Sequence, residues 1–151
     1  MQLQTPLQGR KTRQQNFHIT LAFLGAQPAA LLPVLKTILG RLPEPDVALV
    51  LDRIGYFNRH RIAWAGMQDV PEKLCLLQRT LMQELAQHDI ASDMHASFKP
   101  HVTLARDAPA PADMSFEPIR WQANQIALVQ SVTEPAGVLY RMLASRSQGS
   151  Q

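Results

Sequence analysis

The sequence predicts an α+β domain: antiparallel sheets and two main helices, arranged as two pseudo-symmetric lobes with a cleft between the lobes. Three observations carry that prediction. Period-two and period-3.6 apolar patterns follow one another in the order strand, helix, hairpin, helix, strand, hairpin, which favours antiparallel pairing over repeated parallel βαβ units. One five-residue phrase, His-(Ile/Val)-Thr-Leu-Ala, is written twice, beginning at His18 and again at His101, 83 positions later. The length of 151 residues, with 46% hydrophobic and 18% charged, is that of one globular domain able to bury a substantial core. The chain is therefore read as a single domain, 1–151, with 1–15 and 145–151 expected to be poorly ordered.

Each element has its own warrant. Phe17, Ile19, Leu21 and Phe23 alternate with His18, Thr20, Ala22 and Leu24, so a strand here buries the odd positions and turns His18 and Thr20 to the other face. Gly25 ends it. Leu31, Leu32, Leu35, Ile38, Leu39 and Leu42 follow helical spacing, Pro28 and Pro33 are tolerated only near a first turn, and Pro43 and Pro45 close the segment, giving a helix over 29–41. Two apolar runs, 47–56 and 61–67, flank Asn58-Arg59-His60 and predict a hairpin. Pro71 and Glu72 suit a first turn, and the Leu74, Leu77, Leu81, Leu85 stripe extends a helix over 71–88. In the second phrase His101, Thr103 and Ala105 share one face while Val102 and Leu104 point to the core. A Pro-rich connector over 107–111 leads to strands near 122–132 and 137–143, joined by a turn at Glu134-Pro135-Ala136-Gly137.

Composition narrows the function classes. The balance of 15 Lys and Arg against 12 Asp and Glu, a net charge of +3, suits a phosphate-bearing partner without requiring one. Cys75 is the only cysteine, so no intrachain disulfide forms. Its apolar helical setting predicts a buried small residue and a reducing, cytoplasmic location. The N-terminal stretch has no continuous apolar segment of the signal-peptide kind, and no run reaches the ~18 residues of a membrane span.

The duplicated phrase carries the chemistry. A single His-x-Thr on an apolar strand is ordinarily structural, its imidazole satisfied by a carbonyl and its threonine chosen for β-branching. Two copies with matching flanks point instead to a pair of imidazoles in one cleft, able to run acid and base catalysis together near neutral pH. The other histidines are assigned bland roles: His60 a turn residue, His88 a helix C-terminal cation, His95 a loop residue beside the cleft at most. Phe23 is assigned to the core by parity, with base stacking as the alternative. Arg59 and Arg61 read as a solvated hairpin or an RNA-backbone contact. Trp64 and Trp121 read as core or interface aromatics, and Ser97 and Ser131 lack a nucleophile signature.

The flanks of the two phrases, Asn16-Phe-His-Ile-Thr-Leu-Ala-Phe-Leu-Gly25 and Pro100-His-Val-Thr-Leu-Ala-Arg106, resemble the 2H phosphoesterase superfamily. Within it the match is to the bacterial RNA 2',3'-cyclic phosphodiesterases, also called the 2'-5' RNA ligase family. The resemblance runs from Asn16 to Arg141 and includes the Arg61-Ile-Ala-Trp64-Ala-Gly66 strand. It implies hydrolysis of RNA 2',3'-cyclic phosphate ends to 2'-phosphomonoesters with no metal or cofactor, and 2'-5' ligation in reverse. It further implies that His18 donates a proton to the 3' oxygen and His101 activates water, roles that exchange in the reverse direction. Thr20 and Thr103, two residues beyond each histidine, share its face about 6.5–7 Å away and suit donation to non-bridging phosphate oxygens. Arg106 is carried over as a phosphate ligand, although strand parity places it on the wrong face unless a bulge or the strand end intervenes.

Members of the family carry a further strand and helix ahead of the first phrase, whereas only 17 residues precede His18 here. A shortened start is expected to leave a sheet edge open beside the motif-bearing strand. The expected partners are RNA ends or 2',3'-cyclic nucleotides and no membrane. A monomer is expected, with pairing through that edge as the route to a dimer. Two other functions stay open: a non-catalytic RNA or nucleotide-binding module with an incomplete site, and a metal-dependent hydrolase built on His18, His101 and a carboxylate such as Asp107.

Overall fold

A computed structural model describes residues 9–13, 16–92, 98–111 and 117–149. His95 and Ser97 lie outside the described residues, as do the first eight and the last two. The chain divides into two compact units, one formed by Met1–Thr20, Ala48–Pro71 and Lys99–Trp121, the other by Leu21–Val47, Glu72–Phe98 and Gln122–Gln151.

The first unit is built on a four-stranded sheet. Strands β1 (Arg10–Lys11), β3 (Arg53–Phe57), β4 (Ile62–Gly66) and β5 (His101–Arg106) lie in the order β1-β5-β4-β3, and every neighbouring pair is antiparallel. The run over 47–56, predicted as one arm of a hairpin, is two strands. The first, β2 (Val47–Leu51), pairs with β6 (Ile119–Ala123) in a separate two-stranded sheet, and only β3 forms the hairpin with β4. Asp52 divides them: its backbone N–H donates to Gly66 O at 3.0 Å, and its carboxylate accepts from the Gln68 N–H at 2.9 Å. A polar residue that takes two hydrogen bonds of its own stops a continuous apolar strand.

One face of the four-stranded sheet is packed with small and β-branched side chains. Ala63, Ala65, Val102 and Ala105 are all fully buried there. Tyr56 closes the cluster of Ala63, Ala105 and Ala108, and its hydroxyl donates to Ala108 O at 2.5 Å. Small side chains packed closely there leave the strands little freedom to shift, which fixes what stands on the other face.

The second unit holds both helices. A 3-10 turn (Ala29–Leu31) leads into α1 (Leu32–Arg41), with Pro33 in its first turn, and α2 (Glu72–Gln87) begins directly after Pro71, as both prolines predict. Helix α2 ends in a left-handed cap. Asp89 adopts φ +55°, and the Ile90 N–H donates to Leu85 O at 2.9 Å while the buried Ile90 side chain packs on Leu85. His88 follows the last turn of α2 and donates from Nδ1 to Glu84 O at 2.8 Å. The last strands, β7 (Gln125–Glu134) and β8 (Gly137–Ser147), form a long hairpin, so 145–147, expected in an unordered tail, continue a strand. Arg10 and Lys11, also expected to be unordered, form β1.

The first phrase departs most from expectation. A strand over 17–24 is not formed; what remains is a single antiparallel bridge between Ile19 and Val102. The period-two pattern of that segment serves two different cores. Ile19 belongs to the first unit, whereas Leu21 packs on Leu39, Leu42 and Leu77, and Ala22 and Leu24 pack on Ile38, Leu85 and Ile90. Phe23 falls between these contacts and is 59% exposed, contrary to its parity. The edge of β5 is not open either: β1 pairs with Ala105 and Arg106, the Thr12 N–H donates to Leu104 O at 2.8 Å, and Ile19 bridges Val102.

Candidate active site

Both copies of the phrase lie in the first unit as far as Thr20 and Ala105. The Ile19 to Val102 bridge fixes their relation. In an antiparallel register centred on that pair, His18 lies opposite Thr103 and Thr20 lies opposite His101, so a local twofold relates the two half-sites. Val102 is fully buried, which turns its neighbours His101 and Thr103 to the opposite face, and the same alternation turns His18 and Thr20 with them. His18 and His101 are thus diagonal neighbours across two paired segments, an arrangement that sets such positions roughly 7–8 Å apart.

Each imidazole is held the same way. His18 Nδ1 lies 2.6 Å from Asn16 O, and His101 Nδ1 lies 2.7 Å from Lys99 O, in both cases the carbonyl two residues upstream. A carbonyl can only accept, so Nδ1 carries the proton in the neutral ring. His18 and Thr20 are exposed, whereas His101 and Thr103 are half-buried, so the two half-sites match in hydrogen bonding and differ in solvent access.

Arg106 is reached through a bulge. One step along β4, from Ala63 to Trp64, spans two along β5, from Ala105 to Thr103, and the consecutive residues Leu104 and Ala105 are both buried. The extra residue resets the alternation, and Arg106 emerges exposed on the side of His101 and Thr103. The parity conflict found in the sequence is removed by this irregularity. Beyond it Asp107 adopts φ +50° and accepts from Arg10 Nε and Nη2 at 2.6 and 2.5 Å, tying β1 to the end of β5.

An aromatic group beside His101 was not legible as part of the site. Phe57 sets its ring edge-on to the His101 imidazole, with centroids 5.1 Å apart and planes at 84°, and Trp64 lies 6.0 Å away at 57°. Phe57 and Trp64 meet at 5.3 Å, and the Arg53 guanidinium stands 5.8 Å from the indole. Trp64 carried a sequence signal, two residues before Gly66 in a strand predicted to pair, but nothing in the sequence placed β4 beside β5.

The remaining candidates are dispersed. Arg59, His60 and Arg61 are exposed in the β3–β4 turn, where Arg61 adopts φ +54°. Trp121 is half-buried in β6, Ser131 is exposed in β7, and Cys75 on α2 is half-buried where full burial was expected. Asp107, the carboxylate considered for a metal set, is bound by Arg10, and among the described residues no group of three or more His, Cys, Asp or Glu side chains is placed to hold a metal ion. No helix of the described residues is long and apolar enough to cross a membrane.

Fold and site together define an α+β protein with two His-x-Thr half-sites related by a local twofold. Comparison with known proteins gives the family: residues 4–135 match the model of the 2'-5' RNA ligase superfamily, and the chain belongs to it. The RNA 2',3'-cyclic phosphodiesterase of Escherichia coli K12 is 37% identical over 103 residues, 68% of this chain and 58% of the relative, so the matched stretch spans little more than half of that protein. That of Thermus thermophilus is 34% identical over 137 residues, 83% of this chain and 69% of the relative. Among solved structures, E. coli LigT complexed with 3'-AMP superposes with a TM-score of 0.79 at 29% identity, covering 94% of this chain and 82% of that one.

Proposed function

We propose that this protein hydrolyses RNA 2',3'-cyclic phosphate ends to 2'-phosphomonoesters by paired histidine acid–base catalysis, with 2'-5' ligation as the reverse reaction. The observation that supports this most is the Ile19 to Val102 bridge, because it pairs the two His-x-Thr segments antiparallel. His101 Nε2 takes a proton from the attacking water as its oxygen bonds to phosphorus. The phosphorus to O3' bond breaks on the opposite side, and His18 Nε2 delivers a proton to the departing O3'. Thr20 and Thr103 donate to the non-bridging oxygens, where charge accumulates in the transition state. Arg106 adds a cation at the phosphate.

Charge distribution supports a phosphate-bearing substrate. Of the chain's 15 Lys and Arg, nine fall in the first unit (three each in 1–20, 48–71 and 99–121), against five of its 12 Asp and Glu. A basic unit that also holds both histidines draws an anionic RNA end to the site. The named relatives are RNA 2',3'-cyclic phosphodiesterases, and LigT has been crystallised with a nucleotide, 3'-AMP. The protein acts as a cytoplasmic monomer in this reading.

The chemistry needs two proton-transfer groups and no Lewis acid, so hydrolysis of a 2',3'-cyclic nucleotide is expected to proceed undiminished in excess chelator and to release the 2'-phosphate isomer, identified by phosphorus NMR. Loss of turnover on chelation would favour a metallohydrolase. Saturable binding of 2'-AMP with no product would favour a binding module.

A further inference from the structure

The exposed face of the β5–β4–β3 sheet is furnished unevenly. Cross-strand pairing puts Thr103, Trp64 and Gly55 in one row and His101, Gly66 and Arg53 in the next. Of the four nearest neighbours of Trp64 on that face, Gly55, Thr103, Ile62 and Gly66, two are therefore glycines. A Cβ built on Gly55 would lie 2.0 Å from Trp64 Cζ2, and one on Gly66 would lie 2.5 Å from Cζ3. Neither glycine has positive φ, so backbone conformation does not require them. What requires them is the space filled by an indole lying flat on the sheet. Its Nε1–H is buried with no acceptor among the described residues, so hydrogen bonding does not explain the seat. Its placement serves shape: the ring carries Phe57 at 5.3 Å, and the two together flank the His101 imidazole.

The Nδ1 hydrogen bond to Lys99 O is a single contact, and a turn of the His101 ring about Cβ–Cγ breaks it and frees the tautomer. An edge-on phenyl at 84° and an indole at 57° stand against that turn. We propose that Trp64 and Phe57 are positioning residues that fix the plane of the His101 imidazole, and that Gly55 and Gly66 provide the seat that makes this arrangement fit. The proposal rests on the assignment of His101 to acid–base chemistry. Neither aromatic residue need touch the reacting phosphate; each acts by holding Nε2 on the line of proton transfer.

Gly55→Ala tests it without altering any residue that contacts His101. The new methyl displaces the indole, and kcat is expected to fall about tenfold with KM changed by less than about twofold, as for a misaligned but present catalytic group. Phe57→Leu should do the same. Adding Trp64→Phe to Gly55→Ala gives a smaller ring that tolerates the methyl, and should restore part of kcat. Long-range proton–nitrogen NMR gives a readout independent of turnover. Wild-type His101 should show the Nδ1–H tautomer, and Gly55→Ala and Phe57→Leu should convert it to a mixture. Wild-type kcat in both folded variants, or an effect confined to KM, with an unchanged tautomer, would overturn the proposal. If the wild-type protein turns over no cyclic phosphate, the proposed function falls and the NMR result alone decides the positioning role. If Gly55→Ala fails to fold, Phe57→Leu, which only removes bulk from a half-buried surface ring, carries the test.

Discussion

Replacing either histidine of the pair by alanine is expected to lower kcat by about 10²- to 10⁴-fold, the range of a lost general acid or base. His18→Ala and His101→Ala should behave alike, and the double variant should be little worse than either one. In the proposed mechanism proton removal from water and proton delivery to O3' belong to one transition state, so losing one already forfeits most of what the pair contributes. The fold should survive both changes. His18 is exposed, and His101 is half-buried at the start of β5, opposite the well-packed face formed by Val102 and Ala105. Steady-state rates beside thermal unfolding curves check this: an unfolding transition as sharp as wild type with turnover lost is the expected pair of results.

The next largest effect is expected at the threonines. Thr20→Val and Thr103→Val remove a hydroxyl while keeping the β-branched shape that suits extended backbone. Each should cost about 10²- to 10³-fold in kcat, the usual range for deleting one donor aimed at transition-state charge. KM should move much less, because the donors are needed most where charge develops. The local twofold makes a further demand. Thr20 lies opposite His101 and Thr103 opposite His18, so the two substitutions should be comparable; a large loss at one and none at the other would mean that the half-sites are not equivalent in function. Rates measured on a single 2',3'-cyclic nucleotide for the two variants side by side decide it.

Much of this site was legible in the sequence because it is written as a local pattern, repeated. His18, Thr20, His101 and Thr103 were picked out by the phrase alone, and alternation about the buried Val102 puts His101 and Thr103 on one face of β5. The helices were legible for the same local reason: Pro33 and Pro71 mark first turns, and leucine spacing marks the buried stripes. What was not legible depends on pairing between distant segments. The alternation over 17–24 reads as one strand, yet tertiary packing claims Ile19 for one core and Leu21, Ala22 and Leu24 for another, leaving Phe23 exposed. The run over 47–56 reads as continuous because the two hydrogen bonds that isolate Asp52 come from Gly66 and Gln68, far along the chain. Arg106 appeared to face the wrong way because the bulge that corrects it lies in the register between β4 and β5. The aromatic bracket around His101 was hidden for the same reason: Phe57, Trp64 and His101 sit on three different strands.

The same pairing accounts for the mode of assembly of the site. Small residues on the packed face, Ala63, Ala65 and Ala105, let β3, β4 and β5 sit without room to slide. Their opposite face then carries His101 and Thr103 at fixed positions. Two carbonyls hold the imidazoles, a bulge turns Arg106 to the side of His101, and a bridge at Ile19 pairs the first phrase with the second. Function rests on register, and register rests on packing.

The central claim is that two histidines act in opposite protonation states on one phosphodiester. The pH dependence of kcat/KM for a 2',3'-cyclic nucleotide, measured in excess chelator, tests it most directly. The base must be neutral, so the rate should rise with pH through its titration; the acid must be protonated, so the rate should fall again as that group loses its proton. The predicted profile is a bell whose two limbs each have unit slope. A profile with one limb only would mean that a single histidine titrates in the reaction, and would contradict the paired mechanism.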